Sequence, residues 1–108
     1  MSHLSAHVLD ATAGAPAAGV DVQLASASGE PIASATTDPD GRVGDLGPDR
    51  LEPGPYRVTF GSGAYYAGRG VDCFYPEVTV VFTVAAGQAH YHVPLLLSPY
   101  SYTTYRGS

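Results

Sequence analysis

The strongest constraint on this chain is a hydropathy period of two that returns from one end to the other. VDVQLAS (20–26) sets Val20, Val22 and Leu24 against Asp21 and Gln23, and PYRVTF (55–60) puts Tyr56, Val58 and Phe60 on one face. In PEVTVVFTV (76–84), Val78, Val80, Phe82 and Val84 oppose Glu77, Thr79 and Thr83. LSAHVLD (4–10) opens the same way, Leu4, Ala6 and Val8 against Ser5 and His7, while PIASATT (31–37) is a weaker case. In AHYHVPLLL (89–97), Tyr91, Val93, Leu95 and Leu97 share one face, and His90, His92, Pro94 and Leu96 share the other. Alternation of this kind describes half-buried strands, since successive strand side chains point to opposite sides.

Between these runs lie TAGAPAAG (12–19), SGEP (28–31), DPDGR (38–42), GPDRLEPG (47–54) and AAGQ (85–88), all rich in turn formers. The Asp-Gly pair in DPDGR is a favoured tight-turn signal. Only SGAYYAGRG (62–70) reads as a helix, short and closed by Gly70. Short strands with a turn about every 8–12 residues predict an all-β fold, an antiparallel β-sandwich of about seven to eight strands with one short helix.

A chain of 108 residues is expected to form one domain, 1–108, around one core. Its single cysteine, Cys73, has no partner for an intrachain disulfide and reads as a small buried hydrophobe. The net charge of −5 argues against nucleic acid, whose phosphates reward a basic face. No apolar run approaches the roughly 20 residues that span a bilayer, so no membrane partner is expected. MSHLSAHVLD lacks a basic segment followed by an apolar one. A cytoplasmic location is therefore expected, with a periplasmic form whose export signal has been trimmed as the alternative.

The faces opposite the core carry the chemistry. His7, His90 and His92 fall on outer faces, where imidazole serves no packing purpose. Two histidines at i and i+2 point the same way about 7 Å apart. Such a pair is compatible with zinc, yet no cysteine or carboxylate beside it completes a tetrahedral set. Arg42, just after the Asp-Gly turn, is a permanently charged fork suited to a carbonyl or oxyanion. Asp38, Asp40 and Gly41 resemble part of a calcium loop but lack its closing glutamate. Tyr100, Tyr102 and Tyr105 can pin a terminal segment to the domain. The chain has no nucleophile elbow, phosphate loop or dinucleotide fingerprint.

The runs LSAHVLD, GAPAAGVDVQL (14–24), TTDPDGRV (36–43), FYPEVTVVFTV (74–84) and HYHVPLLLSPYSYTTYRGS (90–108) resemble, in order, those of the 5-hydroxyisourate hydrolases. These are transthyretin-related enzymes of urate breakdown. The terminal Tyr-Arg-Gly-Ser is the most specific element, because it resembles the signature separating the hydrolases from hormone-carrying transthyretins. The chain departs from the family pattern in Ser-Ala-His for Ser-Thr-His, in YSYTTYRGS for YGYSTYRGS, and in having no tryptophan.

The resemblance implies a transthyretin-like sandwich of two four-stranded sheets, assembled as a homotetramer, a dimer of dimers. It implies catalytic residues His7, Arg42, His92 and Ser108, with His7, Arg42 and Tyr105 contacting substrate, and neither metal nor organic cofactor. The implied reaction is hydrolysis of 5-hydroxyisourate to 2-oxo-4-hydroxy-4-carboxy-5-ureidoimidazoline. The alternatives are a transthyretin-like carrier holding a small aromatic ligand between subunits, and an adhesion sandwich with zinc on His90 and His92.

Overall fold

The computed structural model describes residues 2–107. In chain order it contains β1 (Leu4–Asp10), β2 (Ala15–Pro16), β3 (Asp21–Ser26), β4 (Pro31–Thr36), β5 (Arg42–Val43), β6 (Gly54–Phe60), α1 (Ser62–Ala67), β7 (Val78–Val84), β8 (Tyr91–Leu97) and β9 (Tyr102–Thr104). One sheet runs β2-β1-β8-β9, with β5 also paired to β1, and the other runs β4-β3-β6-β7. Each alternating run of the sequence becomes a strand whose apolar face turns inward. Leu4, Val8, Leu95 and Leu97 from the first sheet meet Val22, Leu24, Val58 and Phe60 from the second, all fully buried.

The expected sandwich is present, with three differences. The pairing of β1 with β8 is parallel, Leu4 opposite Tyr91 through Asp10 opposite Leu97. Alternation is blind to strand direction, because the inward and outward sets are the same either way. The loop after β1 makes a brief return pairing, with Ala15 opposite Asp10. The tail also adds a strand, β9, with Tyr102 opposite Leu97 and Thr104 opposite Leu95.

Helix α1 is shorter than the sequence predicts. It stops at Ala67, and two i→i−3 turns, Arg69 N–H to Tyr66 O and Gly70 N–H to Ala67 O, carry the chain into Gly70 at φ 70°. A buried polar knot ties this helix to the first sheet. Asp10 accepts the backbone N–H groups of Thr12 and Ala13, both at 3.0 Å, and the phenol hydroxyls of Tyr65 at 2.9 Å and Tyr66 at 3.1 Å. The Tyr66 hydroxyl also lies 3.2 Å from the Leu97 carbonyl, so its one proton is shared between the two acceptors. Burial alone would push the Asp10 pKa up, but the four donors together outweigh it and hold the carboxyl below its ordinary range. Burial, reinforced by the Asp10 charge, pushes the Tyr66 hydroxyl up.

Candidate active site

The outer face of the first sheet carries two adjacent rows of side chains. Residues opposite each other in a ladder share a face, so the registers place Arg42 beside His7 across β5 and β1. They place Ser5 beside His92 across β1 and β8. A bridge between His92 and Gly107 extends the second row into the tail, with the Gly107 N–H donating to the His92 carbonyl at 2.9 Å. The His7 and His92 rings lie diagonally across the rows, centroids 6.5 Å apart. A recess of about 300 Å³ opens here, lined by Ser5, Arg42, Gly44, His90 and His92 among others.

The turn before β5 sets both His7 and Arg42. The Asp38 carboxylate accepts the N–H groups of Asp40 and Arg42, each at 2.9 Å. Gly41 at φ 75° lets the backbone pass against the Val8 carbonyl, where any Cβ would collide. The same turn presents the Asp40 carbonyl 2.9 Å from His7 Nε2. A carbonyl only accepts, so Nε2 carries the proton and Nδ1 is the bare nitrogen of neutral His7.

His92 is half-buried, and its Nδ1 lies 2.8 Å from Ser5 Oγ. The same hydroxyl lies 2.8 Å from Nε2 of His90, which is exposed. Burial, then the Arg42 charge and the repulsion that a protonated His92 would meet from any proton gained by His7 or His90, hold the His92 pKa below the ordinary histidine range. The lowered pKa favours the neutral imidazole, the form that can take a proton from water. The fourth histidine, His3, is structural: buried, it accepts the Leu51 N–H at Nδ1 and donates from Nε2 to the Gln88 carbonyl.

The structure thus brings together His7, Arg42 and His92 from the sequence-derived set. Tyr105 is largely exposed and lines a neighbouring apolar groove of about 440 Å³ that reaches His92 from the tail side. Ser108 lies outside the described residues. Sequence reading put Ser5 on the His7 face but gave it no task. Its role needs the β1–β8 register, which no periodicity contains. Among the described residues, no group of three or more His, Cys, Asp or Glu side chains is placed to hold a metal ion.

Gly107 shapes the site by lacking a side chain. A Cβ there would fall 2.5 Å from His92 Cδ2 and 3.2 Å from Pro94 Cγ. Gly107→Ala is expected to turn the imidazole off Ser5 and lower turnover by roughly 10- to 100-fold, the scale of a small misplacement of a reacting group. The thermal midpoint should hardly move, because the residue sits at the end of the tail. Unchanged turnover in this variant would show that the ring tolerates rotation.

The whole chain has relatives among known proteins. Residues 4–107 match the model of the HIUase/Transthyretin family. The chain is 45% identical to the 5-hydroxyisourate hydrolase of Salmonella dublin, over 97% of this chain and 80% of that one. It is 43% identical to the mouse enzyme of the same name, over 99% and 96%. Among solved structures, Klebsiella pneumoniae 5-hydroxyisourate hydrolase superposes with a TM-score of 0.91 at 36% identity, covering 99% of this chain and all of that one. Sea bream transthyretin in complex with thyroxine superposes with a TM-score of 0.90, also at 36% identity, over 97% and 94%.

Proposed function

The chain belongs to the HIUase/Transthyretin family, and from that membership we infer that it is an enzyme, a 5-hydroxyisourate hydrolase of urate breakdown. The observation that carries the catalytic reading is the double row on the outer sheet, which puts the His92 imidazole and the Arg42 guanidinium on the lining of one recess. Water attacks a carbonyl carbon of the six-membered ring. His92 takes the water proton as the new C–O bond forms, and Arg42 stabilises the charge that develops on the carbonyl oxygen. The ring C–N bond then breaks, and His92 gives that proton to the departing nitrogen, while the bare Nδ1 of His7 is free to accept a hydrogen bond from the attacking water and orient it. The product is the ring-opened ureidoimidazoline carboxylate. No step calls for a metal or organic cofactor. Tyr105 contributes a face to the substrate from the groove side, and the resemblance to the hydrolases also gives Ser108 a catalytic role.

The active form is a homotetramer, a dimer of dimers. β7 ends its sheet and carries VTVVFTV with no charge and no proline, and Val81 is 60% exposed. β9 ends the other sheet. An unblunted edge such as that of β7 is a template for another strand, and a second copy extending that sheet fits it. Two such dimers meeting on their outer faces would exclude water from the histidine rows.

Freshly generated 5-hydroxyisourate, made from urate with urate oxidase, should decay faster with this protein than without it. No acceleration would sink the hydrolase reading. Tight binding of a small aromatic ligand without turnover would instead favour a carrier, the role suggested by the likeness to thyroxine-bound transthyretin.

A further inference from the structure

Ser5 Oγ stands between two imidazoles, 2.8 Å from His92 Nδ1 and 2.8 Å from His90 Nε2. A serine hydroxyl holds one proton, so it donates to at most one of them. With Nδ1 taken by Ser5, Nε2 is the nitrogen left for substrate, and no described residue bonds it. If Ser5 donated to His92, the ring proton would sit on Nε2 and neutral His92 could not act as a base there. The opposite direction leaves Nε2 bare, and the hydroxyl proton then goes to its other neighbour, His90 Nε2.

We propose that Ser5, backed by His90, is a positioning residue that fixes the tautomer of His92: it accepts the Nδ1 proton and leaves Nε2 free to receive a proton from water. The inference rests on the hydrolase reading for its choice of direction, while the contacts themselves do not depend on it. When His92 Nε2 gains a proton, the Nδ1–H remains on Ser5 and the hydroxyl proton remains on His90, so the chain of bonds is unchanged through the step. Ser5 and His90 thus do for this imidazole what a carboxylate does in a catalytic triad, without placing a negative charge beside it. The arrangement explains why two histidines stand at i and i+2: only one of them needs to meet substrate.

The test is side-chain ¹⁵N NMR on the labelled full chain, with the His92 signal assigned by its loss in His92→Asn. His3, held with its proton on Nε2 by Leu51 and Gln88, is an internal reference for the opposite tautomer. Wild-type His92 should carry its proton on Nδ1. Ser5→Ala should shift that proton to Nε2 and lower kcat roughly 10- to 100-fold with KM nearly unchanged, and Ser5→Thr, which keeps the hydroxyl, should restore both. A wild-type His92 with its proton on Nε2 overturns the proposal, as does a folded Ser5→Ala protein with unaltered kcat. Absence of hydrolysis by the wild type would overturn the activity instead, and the NMR signal would still report whether Ser5 accepts from Nδ1.

Discussion

His92→Ala should lower the turnover of 5-hydroxyisourate by about 10²- to 10⁴-fold, the usual contribution of a positioned acid or base. The fold should survive, because the half-buried ring lies on the outer face and the bond from the Gly107 N–H is to the His92 backbone. The wild-type pH profile carries the same information. Burial and then the Arg42 cation depress the His92 pKa, so its neutral, active form persists as pH falls past the ordinary histidine range. The acid limb of kcat/KM should therefore lie below about 6.5, the reference value for histidine. Replacing Arg42 with glutamine removes a cation and should move that limb upward even as activity falls. A variant His92→Ala with near-normal turnover would remove His92 from the mechanism.

The second large effect concerns stability. Asp10→Ala would orphan two backbone N–H groups and the Tyr65 hydroxyl, and leave Tyr66 with only the longer bond to Leu97. A buried donor left without a partner costs about 1–3 kcal/mol, and a loss of roughly 3–5 kcal/mol is expected in denaturant titration at fixed protein concentration. Asp10→Asn keeps one acceptor oxygen and should lose much less. The sign of the pH effect follows from the lowered folded-state pKa of Asp10. Its carboxylate contributes stability that is fully present above the ordinary aspartate value and is lost as pH falls through the lower folded value. The gap between wild type and Asp10→Ala should narrow over that acidic window. A gap that is constant with pH would mean that the charged state of Asp10 is not what the knot holds.

Much of this was legible beforehand, and for definite reasons. Alternation in LSAHVLD and AHYHVPLLL placed His7 and His92 on outer faces, and both are there. The Asp-Gly signal located the turn that precedes Arg42. The strand boundaries were less exact. β7 begins at Val78 rather than Pro76, since proline has no N–H to give a ladder and the Pro76 carbonyl is taken by the Gly63 N–H. The partnership of Ser5 with His90 and His92 was not legible, because it exists only once β1 and β8 lie side by side in one register. β9 was missed because three residues are too few for a period to show.

The parallel pairing of β1 with β8 has a temporal consequence. Ser5 and His92 are 87 positions apart, whereas β3–β4 and β6–β7 join neighbours along the chain. Closing so long a loop is entropically costly and slow compared with forming hairpins. Turnover should thus be the last property to return on refolding, after the second sheet has formed. A molecule that catalyses has, by that fact, finished folding.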